Sequence, residues 1–383
     1  MTTPHGTPPP TPVVALAESP VQVLNVLEWR HARPDGHGGA PQGAADDPPD
    51  GPLTRDGDPL TNPDGPLTLV VLPPTDPMSR GQLRRMAALA RDEGVTVRWQ
   101  EARGGAARGG GPVRTLRDLA PLLRGARRVL VGDPFSRYVQ LLLSVFPPRR
   151  VTVVDDGTAT MEYAAQLARG ERLARWHRRG ARGPRELALA PVTALARRRL
   201  APGRRRTVEI FTALPVEAPA GAEVNRNRFG WTRARFGPPR LAAGADLVGT
   251  SLVETGVVDP DRYVEAVAAL AAAHGVRRYF AHRRESVTKL HRIATTTGLE
   301  IVRPELPLEL IARRGPIGRT VLSFPSTVVH TLPAALAGTG VTITVCDVAP
   351  EWLRATAPPR ARGFLAAVTE TARSAHGLSL TGT

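Results

Sequence analysis

A single cysteine, Cys346, stands in 383 residues. That excludes an intramolecular disulfide and any multi-cysteine metal centre, and it suits a reducing compartment. Lysine is as scarce: Lys289 is the only one, so the net charge of +16 is carried almost wholly by arginine. Aromatic residues make up 4% of the chain, too few for a base-stacking nucleic-acid surface. The nine histidines show no HxxxH spacing. Of two Asp-x-Asp triplets, Asp56-Gly57-Asp58 lies in an unpatterned stretch, and Asp259-Pro260-Asp261 reads as a helix start. No metal site is expected. A Walker loop is excluded because its glycine-rich stretch and lysine are missing. No apolar run approaches the ~20 residues of a membrane span. The start lacks a basic region followed by an apolar one, so residues 1–12 read as a disordered tail and not a signal peptide. A cytoplasmic protein is expected, soluble or peripheral at the inner face of the membrane.

What is present is strand–helix alternation. Hydrophobic residues make up 42% of the chain, enough for the cores of two ordinary domains. Val13–Ala17 reads as a strand, followed by a helix with Ser19 as N-cap and Pro20 in its first turn. Residues 31–66 are rich in Pro, Gly and Asp and have no hydrophobic period, as in a mobile insertion. Strands at 67–72, 95–99, 128–131, 151–154 and 208–212 alternate with helices at 82–93, 116–123 and 138–146. Residues 208–212 read as the last strand of the first domain and 218–240 as loop. Gly237-Pro238-Pro239 marks a boundary between domains at 13–236 and 240–383. Alternation then resumes and closes on a terminal helix at 364–375. The expected fold is α/β, with two doubly wound parallel sheets facing a central cleft.

The charge has two readings. One is the codon bias of a GC-rich genome. The other is attraction to an anionic partner. The densest stretch, residues 169–206, reads either as a solvated helical hairpin or as a basic amphipathic segment lying on an anionic membrane.

Polar signatures stand where strands end, which is where open α/β sheets put their ligand crevices. Asp155-Asp156-Gly157 follows an apolar strand. It makes either a simple turn or a carboxylate that takes a proton from a sugar hydroxyl, with Asp156 holding the turn or orienting Asp155. His282 follows the strand at 277–280. It is either a surface histidine before a cap formed by Glu285 and Ser286, or a histidinium beside Arg283 facing a leaving phosphate. Ser326 and Thr327 open a helix. One of them should cap it, and the free N–H groups there could cradle phosphate. Glu309, in the first turn of its helix, suits either the macrodipole or the hydroxyls of a ribose, with Glu305 the competing acid.

Together these residues resemble the bacterial sialyltransferases, especially the capsular polysialyltransferase-like group. That family carries an acidic Asp/Glu-Asp/Glu-Gly motif, a His-Pro motif and a Ser-Ser/Thr motif, here Asp155-Asp156-Gly157, His282-Arg283 and Ser326-Thr327. Pro307-Leu308-Glu309 is similar to its nucleotide-holding Pro-x-Glu, and Glu18-Ser19-Pro20 to its first strand-to-helix turn. The resemblance implies a GT-B-type fold and metal-free, inverting transfer from CMP-sialic acid to a glycan hydroxyl. No cofactor is implied beyond that donor substrate. Asp155 would be the base and His282 would assist departure of CMP. Ser326 and Thr327 would bind its phosphate, and Glu309 the cytidine portion. Arg283 stands where the family has proline, so the loop gains charge and loses a fixed φ. The rival readings are a transferase for another CMP-ulosonic acid or nucleotide sugar, and a non-enzymatic binder of anionic surfaces or nucleic acid. The acceptor, linkage and oligomeric state are not legible.

Overall fold

A computed structural model describes residues 12–33, 65–103, 111–173, 175, 184–376 and 379–381. The first sheet is built from β1 (Val13–Ala17), β2 (Leu67–Val71), β3 (Thr96–Trp99), β4 (Arg128–Val131), β5 (Arg150–Val154), β6 (Thr207–Thr212) and β7 (Ala222–Arg226). Their order is β3-β2-β1-β4-β5-β6-β7, and every pair is parallel. Val14 and Leu16 of β1 enter the core on one face, and Val13, Ala15 and Ala17 the core on the other. That two-sided burial is why β1 reads as an unbroken apolar run. The order reverses between β1 and β4, which opens a crevice beyond their carboxyl ends.

Helices α1 (Pro20–His31), α2 (Pro77–Asp92), α3 (Pro112–Gly125), α4 (Arg137–Val145), α5 (Thr158–Ala168) and α6 (Pro184–Leu200) connect these strands. The Ser19 side chain caps α1 by accepting from Gln22 N–H, with Pro20 in the first turn as expected. β6 is not the last strand of this domain. β7 and helix α7 (Gly230–Phe236) follow, inside the stretch expected to be loop. The β7 sequence, Ala-Glu-Val-Asn-Arg, is short, polar and at the sheet edge, so it carries little hydrophobic signal.

The second sheet contains β8 (Leu241–Val248), β9 (Val276–Phe280), β10 (Glu300–Val302), β11 (Ile317–Ser323), β12 (Thr342–Cys346) and β13 (Ser379–Thr381). It runs β10-β9-β8-β11-β12-β13, again all parallel. Its helices are α8 (Pro260–His274), α9 (Val287–Thr297), α10 (Leu308–Arg314), α11 (Val328–Ala335) and α12 (Pro359–His376). The expected terminal helix is not terminal, because β13 returns the chain to the sheet edge. The two doubly wound domains face one cleft, the GT-B-type architecture expected.

The domains are joined by packing as well as by chain. Leu306, Leu310 and Ala335 of the second domain enter the apolar cluster that holds Phe229 and Trp231 of the first. Burying such a side chain contributes about 1.5–3 kcal/mol relative to exposure. The Glu28 carboxylate, buried in α1, accepts from the N–H groups of Trp231 and Thr232 at 2.9 and 2.8 Å and so caps α7. Burial pushes its pKa up to about 7.

The described part of the 169–206 stretch is not a free amphipathic helix. Ala196 and Leu200 of α6 are buried, and Ser144 of α4 donates to the Val192 carbonyl at 3.1 Å. Residues 174 and 176–183 lie outside the described residues, as do the tail expected at 1–12, Pro12 excepted, and most of the 31–66 insertion. Among the described residues no helix is long and apolar enough to cross a membrane.

Candidate active site

The carboxyl ends of β1, β4, β5, β8, β9 and β11 converge on one interdomain cleft of about 890 Å³. Asp155, Asp156, Gly157, His282, Arg283, Glu309, Ser326 and Thr327 all line it. The two walls come close at Gly157. A Cβ placed there would lie 3.3 Å from Thr327 Oγ1. Gly157 has φ +66°, which a side chain would oppose. Glycine thus lets the acidic turn of one domain meet the hydroxyl pair of the other.

The two neighbouring acids have different surroundings. Asp155 is 2% exposed. Its Oδ1 accepts from Thr212 Oγ1 at 2.6 Å, and its Oδ2 from Ala213 N–H at 2.8 Å. Asn25 donates to its main-chain carbonyl at 3.0 Å. Burial raises its pKa to about 6. Asp155 lines the cleft, and each of its carboxylate oxygens already accepts a hydrogen bond from β6 or the turn after it. The Asp156 side chain is 16% exposed. Its Oδ1 meets the Ser19 hydroxyl at 3.3 Å and its Oδ2 lies 3.6 Å from the Arg175 guanidinium. Burial, then the charge of Asp133, push its pKa up to about 7.

His282 is held from both sides. Its main-chain N–H donates to Glu285 Oε2 at 2.5 Å, and its ring Nδ1 accepts from the Arg284 main-chain N–H at 3.2 Å. The proton of the neutral ring is therefore on Nε2. Burial, then the neighbouring Arg283 and Arg284, lower its pKa to about 4. The expected histidinium is instead a neutral imidazole near pH 7, whose charge is disfavoured before any anion arrives. Glu285 is buried, accepts from Tyr279 Oη at 2.6 Å, and lies 2.7 Å from Lys289 Nζ. The chain's only lysine therefore closes a buried network under the histidine loop. A Cβ at Gly249 would overlap both Glu285 and Tyr279, so this glycine keeps room for the network. Glu285, paired with Lys289, anchors the loop through the His282 main-chain N–H.

Thr327 occupies the N-cap position of α11, but its side chain caps nothing. The expected hydroxyl cap is absent, and the Ser326 and Thr327 hydroxyls stand at the cleft wall near the helix start. Glu309 is buried and accepts from Thr331 Oγ1 at 2.5 Å. Burial raises its pKa. The Glu305 side chain is 68% exposed and pairs with Arg85 at 3.1 Å, and Glu305 is not a cleft residue, whereas Glu309 is. The Asp259 carboxylate is committed to capping α8 through Asp261 and Arg262 N–H. Among the described residues no group of three His, Cys, Asp or Glu is placed to hold a metal ion.

Several cleft residues had no role in the sequence reading. Glu18 ends β1, pairs with Arg103 at 2.6 Å and accepts from Ser136 at 2.6 Å. Asp133 ends β4 and pairs with Arg175 at 2.8 Å. The strand-end rule that singled out Asp155 applies equally to Glu18 and Asp133. Arg175 lies far from any strand end and had no such signal.

No protein-family profile matches the chain, and no curated protein matches it. Among solved structures it is similar to an alpha/beta-galactoside alpha-2,3-sialyltransferase from Photobacterium phosphoreum, at 7% identity and TM-score 0.48. That match covers 97% of this chain and 99% of the other. A putative UDP-N-acetylglucosamine 2-epimerase from Listeria monocytogenes matches at 12% identity and TM-score 0.47, over 88% and 79%. MurG from Acinetobacter baumannii matches at 10% identity and TM-score 0.39, over 98% and 86%. Such likenesses concern the fold alone.

Proposed function

We propose that this chain is an inverting, metal-independent glycosyltransferase that moves sialic acid, or a closely related ulosonic acid, from its CMP-activated form to a glycan hydroxyl. The observation that carries the reading is the apposition of Gly157 and Thr327, which joins the acidic turn to the hydroxyl pair in one cleft. His282 and Glu309 line the same cleft. In this scheme Asp156, and not Asp155, takes the proton of the acceptor hydroxyl as its oxygen attacks the anomeric carbon. A pKa near 7 suits a general base at neutral pH. The bond from the anomeric carbon to the phosphate oxygen breaks, and CMP leaves with that electron pair. Arg283 and the hydroxyls of Ser326 and Thr327 stabilise the developing charge, and His282 Nε2–H donates to it. A bound phosphate also raises the imidazole pKa, so the ring gains basicity when it is needed. Glu309 accepts from the nucleoside.

The test is CMP release from CMP-N-acetylneuraminic acid with a mixed acceptor set. Wild type is compared with Asp156→Asn and His282→Ala. Acceptor-stimulated release that both folded variants lose supports the reading. Release only from another CMP-ulosonic acid would change the donor and keep the mechanism. No release from any CMP donor, with no donor-dependent thermal shift, would overturn it.

A further inference from the structure

The edge of the first sheet opposite the cleft carries a different chemistry. Three turns lead into β4, β5 and β6 there, within residues 122–128, 145–151 and 197–207. Together they hold eleven arginines and no aspartate or glutamate. The chain as a whole has 51 basic and 35 acidic residues, so general arginine richness does not account for a patch without acids. Register puts the turns level, with Arg128 opposite Arg150 and Arg150 opposite Thr207. Arg206 ties the second and third of them together. Its Nε donates to the Pro148 carbonyl at 3.4 Å, and its guanidinium also reaches the Arg198 carbonyl.

Arg124, Arg127, Arg149, Arg198, Arg204 and Arg205 are exposed. None of these six forms an ion pair with an acid among the described residues. Between them projects an apolar apex: Val145 is 50% exposed, and Pro147 is exposed beside it. Phe146 is turned inward under the Arg124 guanidinium, 5.7 Å away. Nucleic acid would match the charge but has no apolar layer for Val145 and Pro147, and the turns offer no exposed aromatic ring for stacking. An anionic bilayer matches both, with phosphate headgroups for the rim and the headgroup–acyl boundary for the apex.

We propose that this patch docks the protein on an anionic phospholipid surface, with the cleft at the far end of the sheet facing water. A five-residue strand separates the two edges by roughly 16 Å. The proposal is independent of the donor chemistry.

The experiment is sedimentation of the full chain with vesicles of phosphatidylcholine, or of phosphatidylcholine mixed with phosphatidylglycerol, at low and high salt. Binding is expected only to the mixed vesicles and should fall with salt. Each neutralised arginine should weaken it about fivefold, so the triple variant Arg124→Gln, Arg149→Gln, Arg204→Gln should lose it. Val145→Asp should also weaken it, whereas Arg283→Ala in the cleft should not. Thermal melts confirm that the variants are folded, and the single Arg149→Gln variant serves if the triple one is not. Failure to bind mixed vesicles, or binding unchanged in the folded variants, would overturn the proposal. So would preference for duplex DNA over mixed vesicles at equal charge.

Discussion

The two walls of the cleft divide the charge between them. The first-domain wall presents carboxylates at strand ends: Glu18, Asp133 and Asp156. Guanidiniums temper them, Arg103 beside Glu18 and Arg175 beside Asp133. The second-domain wall presents Arg283, Arg284, Arg303, the neutral His282 and two hydroxyls. An acid wall that holds a proton acceptor and a cationic wall that receives an anion can act on one substrate lying between them. In the proposed transfer neither wall would do so alone, because a single domain brings only one half of the charge separation. Within the acid wall the same division recurs between neighbours: Asp155 fastens the turn, and Asp156 looks into the cleft.

The largest expected effect comes from removing the acid that faces the cleft. Asp156→Asn should lower kcat by about 10²–10⁴-fold, the usual range for a general base. It should leave CMP affinity and the melting temperature close to wild type. Asp155→Ala should instead lower stability by about 1–3 kcal/mol, because it strands the Thr212 and Ala213 donors in the interior. Chemical denaturation beside turnover separates the two. Equal loss of kcat without loss of stability in both would erase the distinction between them.

Next is the cationic wall. Arg283→Ala and Ser326→Ala should each weaken CMP binding by about tenfold or more, the scale of a hydrogen bond to a charged group. Isothermal titration reads this directly. Turnover at saturating donor should depend on pH through Asp156. It should be low below about 7 and rise as the carboxylate ionises. That rising limb should vanish in Asp156→Asn.

A smaller effect concerns stability and pH at the domain junction. The folded pKa of Glu28 is raised from 4.5 to about 7. Folded chains therefore bind more protons than unfolded ones between those values. The stability this supplies is complete below 4.5 and is lost as pH rises through about 7. Glu28→Gln should flatten the fall in melting temperature across that window. The smallest effect is at Glu305. Its alanine variant should match wild type in CMP affinity and turnover, since among the described residues its carboxylate pairs only with Arg85, on the surface.

Much of the architecture was legible because apolar strands and amphipathic helices leave local periods. β1, β4 and the start of α8 fall where the pattern puts them. β7 and β13 were not legible, since edge strands of polar or few residues carry no such period. The motif residues were legible as strand-end chemistry, and all of them except Glu285 reach the cleft.

What the sequence by itself determined, then, is which residue types stand at the ends of which strands, and that two parallel sheets must form around them. Tertiary structure alone decided which of two adjacent acids points inward, and that Glu309 and not Glu305 reaches the cleft. It also decided that His282 is neutral. Those outcomes depend on burial and on partners brought from distant segments: Thr212 for Asp155, Thr331 for Glu309, and Glu285 anchored by the lone lysine for His282. Side-chain direction at a turn and the cost of charge in a closed cleft are set by neighbours across space, which local pattern does not encode.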